Sequence, residues 1–207
     1  VRLLYPISQS VTVIDNLSTG SLKNLEGLSN DKLRIIQKDI RDESTIRNLI
    51  RDSDVIFHLA CLGVRHSLHS PIENNDVNST ATLQMLAISK EENIKRFVHV
   101  STSEVYGTGV KVPMNESTPT FPHTVYGASK LAGESHARAY FKTYDFPSVV
   151  YCSTGKAQAE RIMAHSKILK PGSIMIRAAM QSMNPETLKT VARKNLAKQV
   201  FEDFSKD

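Results

Sequence analysis

Residues 97–101 read Phe-Val-His-Val-Ser, a short run with no helical spacing that is rich in β-branched and aromatic side chains. A strand with one wet face alternates polar and apolar positions, whereas one buried on both faces does not. This run reads as the second kind. Working outward, Val55–Ala60, Leu33–Gln37, Val11–Asp15 and Ser148–Cys152 have the same character. Between them, Ser44–Arg51, Ile72–Lys90 and Val125–Thr143 carry helical periodicity. Strands alternating with helices over this length predict a doubly wound α/β domain, a parallel sheet with helices on both faces.

Composition sets the outer bounds. The 207 residues are 40% hydrophobic and 23% charged, which is a globular balance and enough chain for one core. No apolar run approaches the roughly 18 residues of a membrane span, and the first ten residues lack the layout of a secretory signal. The two cysteines, Cys61 and Cys152, make neither a metal spacing nor a disulfide framework, and are read as small apolar fillers at strand ends. A reducing, cytoplasmic compartment is the expectation. The net charge of +5 has a definite location: ten Lys/Arg against five Asp/Glu from Ser153 onward, and 16 of each before it. Without interleaved aromatics that excess reads as a solvated helix face, and nucleic-acid binding is not expected.

Open parallel sheets bind ligands beyond the carboxyl ends of their strands. Val11–Asp15 ends in Asp15, followed by Asn16, Ser18 and Gly20; Leu33–Gln37 leads into Asp39. Val55–Ala60 enters a Cys-Leu-Gly loop, and Phe97–Ser101 leads to Thr102, Ser103 and Glu104. A carboxylate closing a strand beside a dinucleotide accepts hydrogen bonds from both ribose hydroxyls and repels a 2′-phosphate, favouring NAD over NADP. Asp15 is equally open to reading as a helix cap or turn former.

Tyr126 and Lys130 are four residues apart in the segment Val125–Thr143, and so project from one helix face. A free tyrosine is a poor base at neutral pH, and a neighbouring ammonium is expected to favour its phenolate. Such a tyrosine can take a proton from a sugar hydroxyl while the carbon gives hydride to NAD. Lys130 can also donate to cofactor ribose hydroxyls, and Thr102 can hydrogen-bond the same substrate oxygen. Tyr-x-x-x-Lys alone is a weak signal; the strand-end hydroxyl cluster and the context Tyr-Gly-Ala-Ser-Lys strengthen it.

With these residues assembled, the chain resembles the extended short-chain dehydrogenase/reductases, the NAD-dependent epimerase/dehydratase family of UDP-glucose 4-epimerase-like enzymes. The match runs through VTVIDNLSTGSLKNL, KDIRD, VIFHLA, Asn78-x-x-x-Thr82, STSEVYG, VPMNESTP, TVYGASKLAGE and FPSVVY. The resemblance implies a Rossmann-like fold with NAD as cofactor and a nucleotide sugar as substrate, and allows a homodimer. It implies that Asp15, Asn16, Ser18 and Gly20 contact the adenosine ribose, and Asp39 with Ile40 the adenine. Leu59 and Ala60 would lie along the cofactor, with Asn78 supporting the neighbouring loop. Thr102, Tyr126 and Lys130 would be the catalytic trio, and Arg65, Ser67, Ser103 and Glu104 would approach the substrate. No metal is expected; His66, His69 and Cys61 sit in a loop that by resemblance contacts sugar.

The chemistry implied is oxidation at sugar C4, then re-reduction (epimerase), loss of water (dehydratase) or loss of carbon dioxide (decarboxylase). Ser103-Glu104 supplies one carboxylate where the resembled dehydratases have Asp-Glu, which favours epimerase chemistry. A non-catalytic fragment or pseudoenzyme, and a basic interaction tail on an inert scaffold, are the rival readings.

Two departures shape the expected domains. No glycine precedes Gly20, so the family's opening strand and Gly-x-x-Gly-x-x-Gly phosphate turn are not read here, and Arg2–Leu4 reads as the remnant of the first helix. Residues 1–152 are therefore expected to form a partial NAD-binding domain, truncated at its N-terminus. Residues 153–207 read as a basic α/β tail unrelated to the family's substrate domain. MQSMNPETLKTVARKN in that tail weakly resembles a radical SAM barrel segment, without the cysteines such a cluster requires. Ser153-Thr-Gly-Lys lacks the spacer of a phosphate loop. The tail is expected to hold a helix over 157–169, a strand over 173–176 and a helix over 185–204.

Overall fold

A computed structural model describes residues 1–108, 117–152 and 173–177, with Cys152 and 173–177 described as backbone. The expected helices over 157–169 and 185–204, and the Ser-Thr-Gly-Lys stretch, lie outside the described residues.

Six strands form one sheet: β1 (Ser10–Asp15), β2 (Leu33–Gln37), β3 (Val55–His58), β4 (Arg96–Ser101), β5 (Ser148–Cys152) and β6 (Ser173–Arg177). Their order is β2-β1-β6-β3-β4-β5, and every neighbouring pair is parallel. The doubly wound α/β fold is the one expected. The apolar strands behave as their composition requires. Val55 and Phe57 of β3 enter one hydrophobic cluster with Val11, Val13 and Val98, while Ile56 enters another with Ile14, Met85 and Phe97. Successive side chains thus go to opposite faces, and both faces are covered.

Strand β6 comes from the tail. It lies between β1 and β3, with Ser10 opposite Ser173 and Val55 opposite Ile174. A parallel strand there pairs the inner edges of both neighbours, whose backbone groups would otherwise be left without partners inside the sheet.

The helices are α1 (Glu43–Arg51), α2 (Val64–His69), α3 (Pro71–Asn75), α4 (Ala81–Glu91) and α5 (Val125–Tyr144). Asp42 caps α1 by accepting from the Thr45 amide at 3.1 Å, and Thr124 caps α5 by accepting from the Gly127 amide at 3.0 Å. The single helix expected over 72–90 is interrupted: a π-helical turn, Asp76–Thr80, separates α3 from α4. Such wide turns are rare and concentrate at functional sites. Strand β3 stops at His58, two residues short of the expected end, because Leu59 and Ala60 already belong to the outgoing loop. Among the described residues no helix is long and apolar enough to cross a membrane.

Candidate functional site

The carboxyl ends of β1, β2, β3 and β4 open on one side of the sheet, and a crevice of about 290 Å³ lies there. Its lining includes Asp15, Asn16, Ser18, Arg41, Cys61 and His66. That volume is at the small end of ligand clefts, roughly 300–1,000 Å³.

The β1 end of the crevice is held by its own side chains. Asp15 Oδ1 accepts from the Leu17 amide at 2.7 Å, and Asn16 Oδ1 accepts from the Ser18 amide at 3.1 Å and the Ser18 hydroxyl at 2.8 Å. These turns keep Leu17 at φ 58°, in the left-handed region. A Cβ added to Gly20 would stand 3.0 Å from Asp15 Oδ2, so only glycine leaves that carboxylate undisturbed. Asn16 Nδ2 donates to Asp39 Oδ2 at 3.1 Å, joining the ends of β1 and β2. Arg41 grips Asp39 through Nε and Nη2, each at 3.0 Å, and its guanidinium holds the carboxyl down to about 2. The same guanidinium reaches Glu73 at 3.3 Å, and Glu73 meets His66 at 3.4 Å. Arg41 thus spans from the β2 loop to α3 across the crevice mouth. The sequence reading missed it, although it directly follows the Asp39-Ile40 pair.

Beside the crevice, at the β4 side of the sheet, Tyr126 and Lys130 are buried on the inward face of α5. Thr102 closes β4, caps the 3₁₀ turn Ser103–Tyr106 by accepting from the Glu104 amide at 3.3 Å, and hydrogen-bonds the Tyr126 side chain. One expectation is corrected here. Lys130 does not acidify Tyr126, because its ammonium is committed to the Val100 carbonyl at 2.6 Å. Burial pushes the phenol above its ordinary value near 10, the Cys61 thiol acts in the same direction, and the Thr102 hydroxyl works against both. Burial also lowers the Lys130 ammonium, which the charges of Cys61 and Glu134 partly offset. Cys61 is accordingly more than a filler. It lies in the loop between β3 and α2, is half-buried, and neighbours the Tyr126 side chain.

Other positions named from the sequence differ in burial. Asn78 is fully buried under the Cys61–Gly63 loop, its Oδ1 accepting from the Leu62 amide at 2.8 Å. Ile40 and Ala60 are core side chains, packed with Ile46 and Val77, and Leu59 packs against the opposite cluster. Arg65 is exposed on α2 and Ser103 half-buried beside Thr102. The Ser67 hydroxyl is spent inside its own helix, donating to the Val64 carbonyl at 2.7 Å. Among the described residues no three His, Cys, Asp or Glu side chains group as a metal site.

The family model described as GDP-mannose 4,6 dehydratase matches residues 1–177, most of the chain. The chain belongs to this family. The match extends through β6, the tail strand at the centre of the sheet. Among this family member's curated relatives is a putative UDP-glucose 4-epimerase of Methanocaldococcus jannaschii, 31% identical over 137 residues, covering 65% of this chain and 44% of the relative. Another is human dTDP-D-glucose 4,6-dehydratase, 34% identical over 134 residues, covering 63% of this chain and 38% of the relative. The chain thus spans less than half the length of these relatives. Among solved structures, DesIV, a dTDP-glucose 4,6-dehydratase from Streptomyces venezuelae with NAD bound, superposes with a TM-score of 0.70 at 24% identity. That superposition covers 90% of this chain and 72% of DesIV, and it speaks for the fold.

Proposed function

We propose that the chain carries the oxidising half-site of an NAD-dependent sugar-nucleotide 4-epimerase. The observation that carries this reading is Tyr126 buried beside Cys61 of the crevice lining, with Thr102 at its side chain and Lys130 one turn along the same face. Membership of an epimerase/dehydratase family makes the dinucleotide the expected occupant. The Asp15–Gly20 cradle fits an adenosine ribose, since a bare glycine leaves a strand-end carboxylate accessible to its hydroxyls. Lys130, with donors on its ammonium beyond the one given to Val100, would be the donor to the ribose at the other end. No glycine-rich turn at a helix N-terminus occurs among the described residues, so pyrophosphate contacts are not assigned to them.

NAD when bound supplies a hydride acceptor and, in its oxidised form, a positive ring. The protein's part is to hold and move one proton. In the free chain Tyr126 is a neutral phenol, because burial outweighs the Thr102 hydrogen bond. A cation brought against it in a dry site favours the phenolate, which then takes the proton of a sugar C4 hydroxyl as the C4 hydride departs. Thr102 donates to the same oxygen. Returning proton and hydride to the opposite face of the 4-keto sugar inverts C4. Dehydratases are equally close relatives, so loss of water is the second reading. It requires an acid and a base beside the sugar, and Glu104 is the carboxylate acting on Tyr126.

Titrating the purified chain with NAD and assaying interconversion of UDP-glucose and UDP-galactose tests the proposal. Micromolar-range binding with interconversion is the expected result. No binding at millimolar NAD would mark the chain as a non-catalytic fragment.

A further inference from the structure

The resemblance gives one asparagine, Asn78, a supporting role, but the structure surrounds it with a network that includes two residues with no assigned part. Asn74 is completely buried one helical turn before Asn78, and Ser129 is buried on α5 between Tyr126 and Lys130. Asn74 Nδ2 donates to the Leu62 carbonyl at 2.9 Å and the Gly63 carbonyl at 3.2 Å. Its Oδ1 accepts from Asn78 Nδ2 at 3.0 Å and from the Ser129 hydroxyl at 3.2 Å. Ser129 divides its one proton between Asn74 and the Tyr126 carbonyl, 2.9 Å away, and accepts from Asn78 Nδ2 at 3.1 Å.

Asn74 therefore has both ends of its amide in use, one on the loop and the other on the catalytic helix. Burying three polar side chains together is costly unless each is satisfied, and here each is. The network also has a direction. The Leu62–Gly63 backbone it grips directly follows Cys61, whose thiol reaches the Tyr126 side chain. The π-helical turn at Asp76–Thr80 begins just beyond Asn74 and contains Asn78, a local geometry that an ordinary helix would not supply.

We propose that Asn74 is a positioning residue for Tyr126: through Ser129 and Asn78 it ties the Leu62–Gly63 backbone to α5, and so holds the Cys61 thiol at the Tyr126 hydroxyl. The catalytic readout rests on the epimerase reading, but the thiol readout does not.

Asn74→Asp is the informative change in the full chain. It keeps the acceptor for Asn78 and Ser129 and replaces the donor with an oxygen facing two carbonyls. Asn74's own bonds to the loop are lost while its helix side persists, and Asn78 keeps its bonds to Leu62. Alkylation of Cys61 by iodoacetamide, followed by peptide mass analysis that separates it from Cys152, is expected to quicken about tenfold, the effect of one lost buried hydrogen bond. Ser129→Ala, which removes a single hydroxyl, should quicken it less. Leu33→Val, a core variant in the other cluster at the amino end of β2, should leave it unchanged. With turnover in hand, Asn74→Asp should lower kcat with little change in the sugar KM. An unchanged alkylation rate in both Asn74→Asp and Ser129→Ala, or an equal rise in Leu33→Val, overturns the proposal. Failure of turnover in the parent chain would sink the epimerase reading alone, since the thiol rates decide this one.

Discussion

His99 is a residue whose environment makes a clear demand. It is fully buried in β4, neither ring nitrogen has a hydrogen-bond partner, and a Cβ on Gly133 would stand 3.0 Å from its Nε2. Burial first, then the charges of Lys130, His58 and His136, hold it well below its ordinary value of 6.5. The folded chain thus keeps His99 neutral where the unfolded chain protonates it. Stability is fully present above pH 6.5 and is lost as the pH falls from there toward the depressed folded value. Urea midpoints should decline between pH 7 and 5, and His99→Leu should flatten that decline without lowering the midpoint at pH 7, because no hydrogen bond is forfeited. An equally steep decline in His99→Leu would place the titrating group elsewhere. Residue chemistry was the least legible level in the sequence. Tyr126, Thr102 and Lys130 could be named from their spacing, but the direction of the tyrosine shift could not. That direction depends on where the Lys130 ammonium points and on Cys61, which is 65 positions away in sequence and adjacent in space.

At the scale of elements, the decisive contact is between the start of α5 and the end of β4. Gly127 follows Tyr126, and a Cβ there would lie 2.7 Å from the Glu104 carbonyl, an oxygen of the backbone. The missing side chain lets α5 approach the turn that Thr102 caps. Gly127→Ala should force the two apart, costing roughly 1–3 kcal/mol by overpacking and breaking the Tyr126–Thr102 hydrogen bond. Thermal melting measures the first effect and turnover the second; a variant normal in both would mean the approach is not required. The strands and α5 were legible because they are buried on fixed faces, and their apolar spacing carries over directly into structure. The π-helical turn was not: Asp76–Thr80, Asp-Val-Asn-Ser-Thr, is a run of weak helix formers that does not say what shape replaces the α-helix, and Asn78 within it is bound to the Leu62 carbonyl of a loop 16 residues away. Arg41 escaped for a similar reason: its bridge to Glu73 joins residues 32 apart.

For the whole molecule, the question is what completes the sheet. Strand β6 pairs with β1 over Ser10–Val13 and with β3 over Val55–His58, so the two halves of the sheet are joined through a tail strand. Its existence was legible from Ser173–Ile176, and its place was not, because a short apolar run does not say which edge it will pair. A chain ending at residue 152 should lose cooperative unfolding, and the amides of β1 and β3 should exchange rapidly where the full chain protects them. Unchanged protection in the shortened chain would show that β6 is dispensable.

The proposed reaction turns on one proton held at Tyr126. Tyr126→Phe removes the hydroxyl and leaves the ring that packs beside Cys61. With UDP-glucose and NAD, the parent chain is expected to form NADH transiently and to release UDP-galactose. Tyr126→Phe should bind NAD nearly as well yet turn over at least about a hundredfold more slowly. Retention of the parent rate in that variant would contradict the assignment of the base.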